Sequence, residues 1–177
     1  FFNKKNLILI ENAVSPEFLS STLPEKIKKW PNADRIALMI GRFSNEKNHL
    51  PVIHALKKLE ESGFTKKWQF VLVGQGHLRD MIESVGVNCL SILPVTKNTL
   101  ACYKHATLLI LPSLFEGMPN VALEAQACGL PIAYSSGANQ SGIMNHERGW
   151  ELSNDFTASL KQILNADDAE IIRKGLL

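Results

Sequence analysis

The stretch "TLLILPSLFEGMPNVALEAQACGLPIAYSS" occupies residues 107–136 and holds the repeating unit of the fold. Its first five residues are apolar or β-branched and stop at Pro112, the pattern of a short strand buried on both faces. "EGMP" is a turn, in which Gly supplies conformational freedom and Pro cannot join a ladder. Asn120, a good N-cap residue, opens "NVALEAQACG", a helix that Gly129 can end. "PIAYSS" then reads as a second apolar strand. A strand, a helix and a strand joined this closely form a parallel crossover.

The same rhythm runs through the chain. "NLILI" (6–10), "RIALMIG" (35–41), "WQFVLVG" (68–74) and "NCLSIL" (88–93) read as further strands. Helices are expected over 48–63, with Asn48 as N-cap, and over 77–86, 97–106, 155–166 and 169–177. The expected fold class is therefore α/β: a Rossmann-like three-layer domain with a parallel sheet of about six strands and helices on both faces. Ligands of open parallel sheets lie outside the carboxyl ends of the strands. Gly41 with Arg42, the Gly74-Gln75-Gly76 turn, Pro94 with Val95, and the loop 113–120 should gather along that edge.

Composition narrows the class further. With 177 residues, 45% apolar and 20% charged, the chain is an ordinary globular sequence, expected to form one domain over 1–177. A net charge of +2 makes no electrostatic case for a nucleic-acid partner. Cys89, Cys102 and Cys128 form no C-x-x-C pair and read as buried thiols in a reducing compartment. No apolar run reaches the ~20 residues of a membrane span, and no secretory signal opens the sequence. The expected location is cytoplasmic. An apolar run so near the start, without an initiator Met, reads as part of a larger protein.

Three loops carry candidate chemistry. In "GRFSNEKN", Gly41 permits a sharp exit from its strand, and one loop brings Arg42 and Lys47 together. A forked guanidinium and an ammonium suit a pyrophosphate, although both could equally be solvated charges, one of them paired with Glu46. "VGQGHLR" invites a dinucleotide reading, but Arg79 stands where the third glycine should be. Its glycines then serve either close approach to a ligand or a tight turn. In the loop after residue 112, the free amides of Val121, Ala122 and Leu123 at the helix start make an anion site. Glu124 lies about one turn into that helix and Glu116 stands before the turn, so a ligand could be held as polyol, phosphate, polyol. A capping Glu and a surface Glu are the alternative.

"LPSLFEGMPNVALEAQACGLPI" resembles the E-x7-E segment of retaining glycosyltransferases of the GT-B fold, the group that includes glycosyl transferases group 1. "IGRFSNEKN" is similar to their Gly-Arg…Lys loop, "FVLVGQG" to their V-G-x-G turn, and "ILIENAVSPEFL" to the Asn-x-Val segment leading into their C-terminal domain. The likeness implies a donor-binding C-terminal domain of an enzyme that moves a sugar from a nucleoside diphosphate sugar to a glycan or lipid-linked acceptor. The acceptor would be held by an N-terminal domain outside this chain. Arg42 and Lys47 would bind the diphosphate and steady the leaving group, and Glu124 would hold the ribose hydroxyls. Glu116, with the backbone of Gly117, Met118, Pro119 and Asn120, would contact the sugar. Amides of Asn120 and Val121 would lie near the phosphates, and Pro94 and Val95 would flank the base.

The resemblance also implies that no bound metal or other cofactor is needed, that the isolated domain turns over nothing, and that the full enzyme could associate peripherally with the inner membrane face. One departure stands out: after "PIAYSS" the group usually has a Gly-Gly segment and an acid, whereas here no acid appears before Glu147. A nucleotide-sugar epimerase of the same fold, or a non-catalytic nucleotide-binding module, are the other readings of these motifs.

Overall fold

The structure is a computed structural model and describes residues 12–175; the strand expected at 6–10 lies outside the described residues. After a 3-10 turn at Pro16–Leu19, strands and helices follow one another, with further 3-10 turns at Asn45–Lys47 and Ser136–Asn139. They run β1 (Arg35–Ile40), α1 (His49–Glu61), β2 (Trp68–Val73), α2 (Arg79–Ser84), β3 (Leu90–Leu93) and α3 (Thr99–Lys104). The second half runs β4 (Leu108–Leu111), α4 (Asn120–Ala127), β5 (Ile132–Ser135), β6 (Gly149–Leu152), α5 (Phe156–Leu164) and α6 (Asp168–Gly175). The strands form a six-stranded sheet, order β3-β2-β1-β4-β5-β6, with every pairing parallel.

Both faces of the sheet are buried, which is why the strands read as continuous apolar runs. From β1, Ala37 and Met39 join Phe70 and Leu72 against Val52 and Leu56 of α1 and Ile163 of α5. Ile36 and Leu38 point the other way, joining Val71 and Leu109 against Cys102 and Tyr103 of α3 and Ala122 and Ala125 of α4. Burying one large aliphatic side chain stabilises by roughly 1.5–3 kcal/mol. Helices α2 and α3, six residues each, are too short to persist without such packing. No helix among the described residues is long and apolar enough to cross a membrane.

Three expectations change. Strand β6 was not anticipated: "GWEL" is four residues with an exposed Glu151, so its pattern is weak. It pairs with β5 because position 149 is Gly, where a Cβ would come 1.9 Å from the Ile132 carbonyl oxygen. Helix α2 begins at Arg79 rather than His77, since residues 74–78 are occupied by a turn against the Phe43 backbone. Cys89 and Cys102 are buried thiols, with burial pushing them up to about 12 and about 11, but Cys128 is only half-buried; all three are free.

The strand order reverses direction between β1 and β4. The chain moves outward from β1 through β2 to β3, then returns to add β4 on the other side of β1. The loops after β1 and β4 lead to helices on opposite faces of the sheet, α1 and α4, and the crevice of such a switch point lies at the carboxyl ends of those two strands.

His49, the first residue of α1, is buried beneath that crevice at 3% exposure. Its ring meets Phe43 edge-on at 6.1 Å, and its Nδ1 has no hydrogen-bond partner among the described residues. Burial first, and the nearby Lys47 second, lower its pKa from 6.5 to about 4. The unfolded chain therefore takes up a proton that the folded chain refuses as pH falls from 6.5 to about 4. Stability is full above that window and lost within it, by roughly 3 kcal/mol if His49 acts alone. Urea unfolding as a function of pH checks this: His49→Leu should flatten the fall between pH 6.5 and 4, and an unchanged slope would count against it.

Candidate active site at the strand switch point

The β1 exit is shaped by the turn that follows β2. Gly41 N–H donates to the Val73 carbonyl and Phe43 N–H to that of Gln75, while Leu78 N–H donates back to the Phe43 carbonyl. A Cβ on Gly74 would stand 1.9 Å from the Gly41 carbonyl oxygen, and one on Gly76 would stand 2.3 Å from that of Phe43. What needs both glycines is thus the protein's own backbone, a third alternative to a ligand or a tight turn alone. Gly76 is consumed by this packing and Gly74 borders the hollow beyond it.

That hollow measures about 310 Å³ and lies at the ends of β1, β2 and β3. Gly41, Arg42, Gly74 and Val95 line it, together with Ile40, Val73, Gln75, Thr96 and Thr99. Pro94 is exposed beside it without lining it. Arg42 is exposed and has no ion pair among the described residues, so its guanidinium is available to an anion. A larger hollow of about 720 Å³ lies at the opposite ends of the strands, around Asp34, Arg35 and Trp68. Its arginine is already engaged by Asp168 at 2.5 Å and by the Ala166 carbonyl, and none of the expected residues reaches it.

Lys47 pairs across the crevice and not with Glu46. Its Nζ lies 2.5 Å from Glu116 Oε1, and the Ser113 hydroxyl donates to the same oxygen at 2.8 Å. The lysine stem lies against Gly41, with Cδ 3.8 Å from the position a Cβ would take there. Glu46 instead is held below the usual carboxylate range, first by the Ser44 hydroxyl. The loop carrying Glu116 is tied down on both sides. Asn48 Nδ2 donates to the Pro112 carbonyl, Leu114 N–H to that of Glu46, and Glu116 N–H to that of Gly137. Ser135 Oγ donates to the Ser113 carbonyl.

The start of α4 differs from expectation in its cap. Pro119 takes the N-cap position, and its carbonyl accepts from the amides of Ala122 and Leu123, removing these two from the anion site. The amides of Asn120 and Val121 keep no backbone partner among the described residues. Asn120 is the first helical residue, and its Oδ1 accepts from Asn12 Nδ2 at 2.8 Å; the same Nδ2 lies 3.2 Å from the Met118 carbonyl. Asn48 holds the N-cap position of α1 but in the left-handed region, φ 54, with its side chain turned to Pro112.

Lys47, the loop from Glu116 to Val121 and Glu124 do not line the hollow, which the structure builds from the ends of β1, β2 and β3; Glu124 Oε2 accepts from the Tyr103 hydroxyl at 2.8 Å. Sequence reasoning missed Tyr103, Ser113 and Ser135, because nothing near them in the chain reveals partners on other elements. Asn12 alone carried a signal, through its Asn-x-Val motif.

The clamp on Glu116 can be measured. Lys47→Met leaves a carboxylate whose side chain is only 15% exposed with a single hydroxyl for company. The expected loss is about 1–3 kcal/mol of unfolding free energy in urea. An unchanged midpoint would mean that the pair contributes nothing to holding the loops.

Comparison with known proteins agrees with this architecture. The family model described as Glycosyl transferases group 1 matches residues 22–167. An undecaprenol-linked glycan α-1,4-N-acetyl-D-galactosaminyltransferase of Campylobacter jejuni is 28% identical over 81% of this chain. An α-1,3-galactosyltransferase of Escherichia coli, named for UDP-Gal and a diphosphoundecaprenol acceptor, is 28% identical over 89%. The chain spans 42% and 43% of those two proteins, less than half of each. A solved S. aureus TarM carrying a Gly-to-Arg substitution, in complex with UDP among other ligands, superimposes over 99% of this chain and 36% of its own at TM-score 0.73 and 19% identity, which shows a shared fold. By its matched residues and its fold, the chain belongs to the glycosyl transferases group 1 family.

Proposed function

We propose that this chain binds the nucleoside diphosphate sugar of a retaining glycosyl transfer and forms the donor side of the catalytic cleft. The observation that carries this reading is the convergence of the loops after β1 and β4 at the switch point. Arg42 and the amides of Asn120 and Val121, which have no ion pair or backbone partner among the described residues, stand there with the Lys47–Glu116 pair on tied-down backbone.

In this reading Arg42 grips the diphosphate with its fork. Lys47 gives one of its three ammonium hydrogens to Glu116 and keeps the others for a phosphate oxygen. Donor cleavage leaves negative charge on the departing diphosphate. Cations and amides fixed in advance favour that charge without reorganising, and so lower the barrier. They do the work for which other transferases use a divalent ion, so no metal or other cofactor is required. The lining of Val73, Val95 and Thr96 suits the flat face of a base, and Glu116 with the turn at Gly117 and Met118 would contact the sugar. A second domain would hold the acceptor, a glycan or a lipid-linked saccharide like those named for the bacterial relatives. This chain alone would bind nucleotide weakly and turn over nothing. The full enzyme would be cytoplasmic and could meet lipid-linked acceptors at the inner membrane face.

Calorimetry of the complete protein with UDP and with GDP tests the grip. Arg42→Ala and Lys47→Ala should each weaken the better-bound nucleotide at least tenfold, the ~1.5–3 kcal/mol of a hydrogen bond to a charged group. Unaltered Kd in both variants would remove the proposed donor site.

A further inference from the structure

We propose that Tyr103 is a positioning residue whose hydroxyl, bonded to Glu124 Oε2, sets the carboxylate to accept a vicinal diol and so makes the site select ribonucleotides over deoxyribonucleotides. The inference rests on reading Glu124 as the ribose-holding carboxylate. Tyr103 lies on α3 and Glu124 on α4, and the phenol donates to Oε2 at 2.8 Å. The tyrosine is 1% exposed and cannot swing away, because the Phe18 ring packs against it with centroids 6.0 Å apart. Burial and then the Glu124 charge push the phenol well above its ordinary range, so it stays a donor at every physiological pH.

A glutamate with this freedom would otherwise sample many rotamers at the helix surface. Held through Oε2, it has one orientation. Oε1 has no partner among the described residues, and Oε2 retains a further lone pair, so two adjacent hydroxyls can both donate to the group. A ligand without those hydroxyls would leave the oriented carboxylate without the two donors it is set to receive, and would bind less tightly.

The test compares two ligands on each protein: UDP against 2′,3′-dideoxy-UDP, and GDP against its dideoxy form, by calorimetry on the complete protein. Because each ratio is taken within one protein, partial unfolding of a variant cancels. The native protein should prefer the ribonucleotide at least tenfold. Glu124→Ala should abolish that preference, and Tyr103→Phe should lower it at least threefold while leaving the affinity for inorganic pyrophosphate unchanged. In the Glu124→Ala background, Tyr103→Phe should add nothing. If Tyr103→Phe keeps the full preference while Glu124→Ala loses it, Tyr103 is only structural and the reading of Glu124 stands. If Glu124→Ala keeps the preference, the reading of Glu124 falls and takes this inference with it. Should Tyr103→Phe not fold, 3-fluorotyrosine at position 103 keeps the hydroxyl. Its fluorine resonance should shift with UDP and not with the dideoxy form, and equal shifts would overturn the proposal.

Discussion

Ser113 is fully buried, and its carbonyl must find a donor inside the protein or cost the fold the full desolvation of that group. Ser135, at the end of β5, supplies the donor. On the other flank the Pro112 carbonyl is met by Asn48, and the Leu114 amide by Glu46. The loop after β4 therefore has no freedom to move apart from the loop after β1. Each pairs polar backbone of the other. The proposed donor site inherits its rigidity from this exchange, because Glu116, Lys47 and the start of α4 are all carried on the loops that take part.

This dependence gives the segment after β5 a structural role. It lacks the acid that the family pattern usually has there. Its Gly137 carbonyl accepts from the Glu116 amide, and a side chain at Gly137 would press within 2.0 Å of the Leu114 carbonyl oxygen. Farther on, Asn139 closes the segment by donating to the Met144 carbonyl and accepting from the Met144 amide. The segment supports Glu116 from below with backbone, which any residue type can provide, and spends its glycine where two chains nearly touch.

Charge at the site is arranged unevenly, and burial explains how. Arg42 is exposed and unpaired among the described residues, whereas Lys47 is half-buried and held by Glu116. An exposed guanidinium costs nothing to leave in water until a ligand arrives. A half-buried ammonium without a partner would be costly, so the pair keeps the cation in place while sparing two of its donors. His49 beneath them stays neutral for the same reason, since a second positive charge there would be both desolvated and repelled by Lys47.

The alternation of apolar runs and amphipathic stretches determined the layers, the parallel sheet and the edge on which ligands would meet, since periodicity is a local property that each segment carries alone. The glycine and proline punctuation placed the turns, and the motif order identified the family resemblance. Strand β6 escaped because four residues with an exposed glutamate hold too little pattern. The cap of α4, the partner of Lys47 and the bond from Tyr103 to Glu124 were decided only by the tertiary structure. Each joins side chains that approach through strand order and helix packing, and Lys47 lies 69 residues from Glu116. No local rule couples residues so far apart. Their geometry exists only once β4 has taken its place beside β1 and the two loops have paired one another's polar backbone.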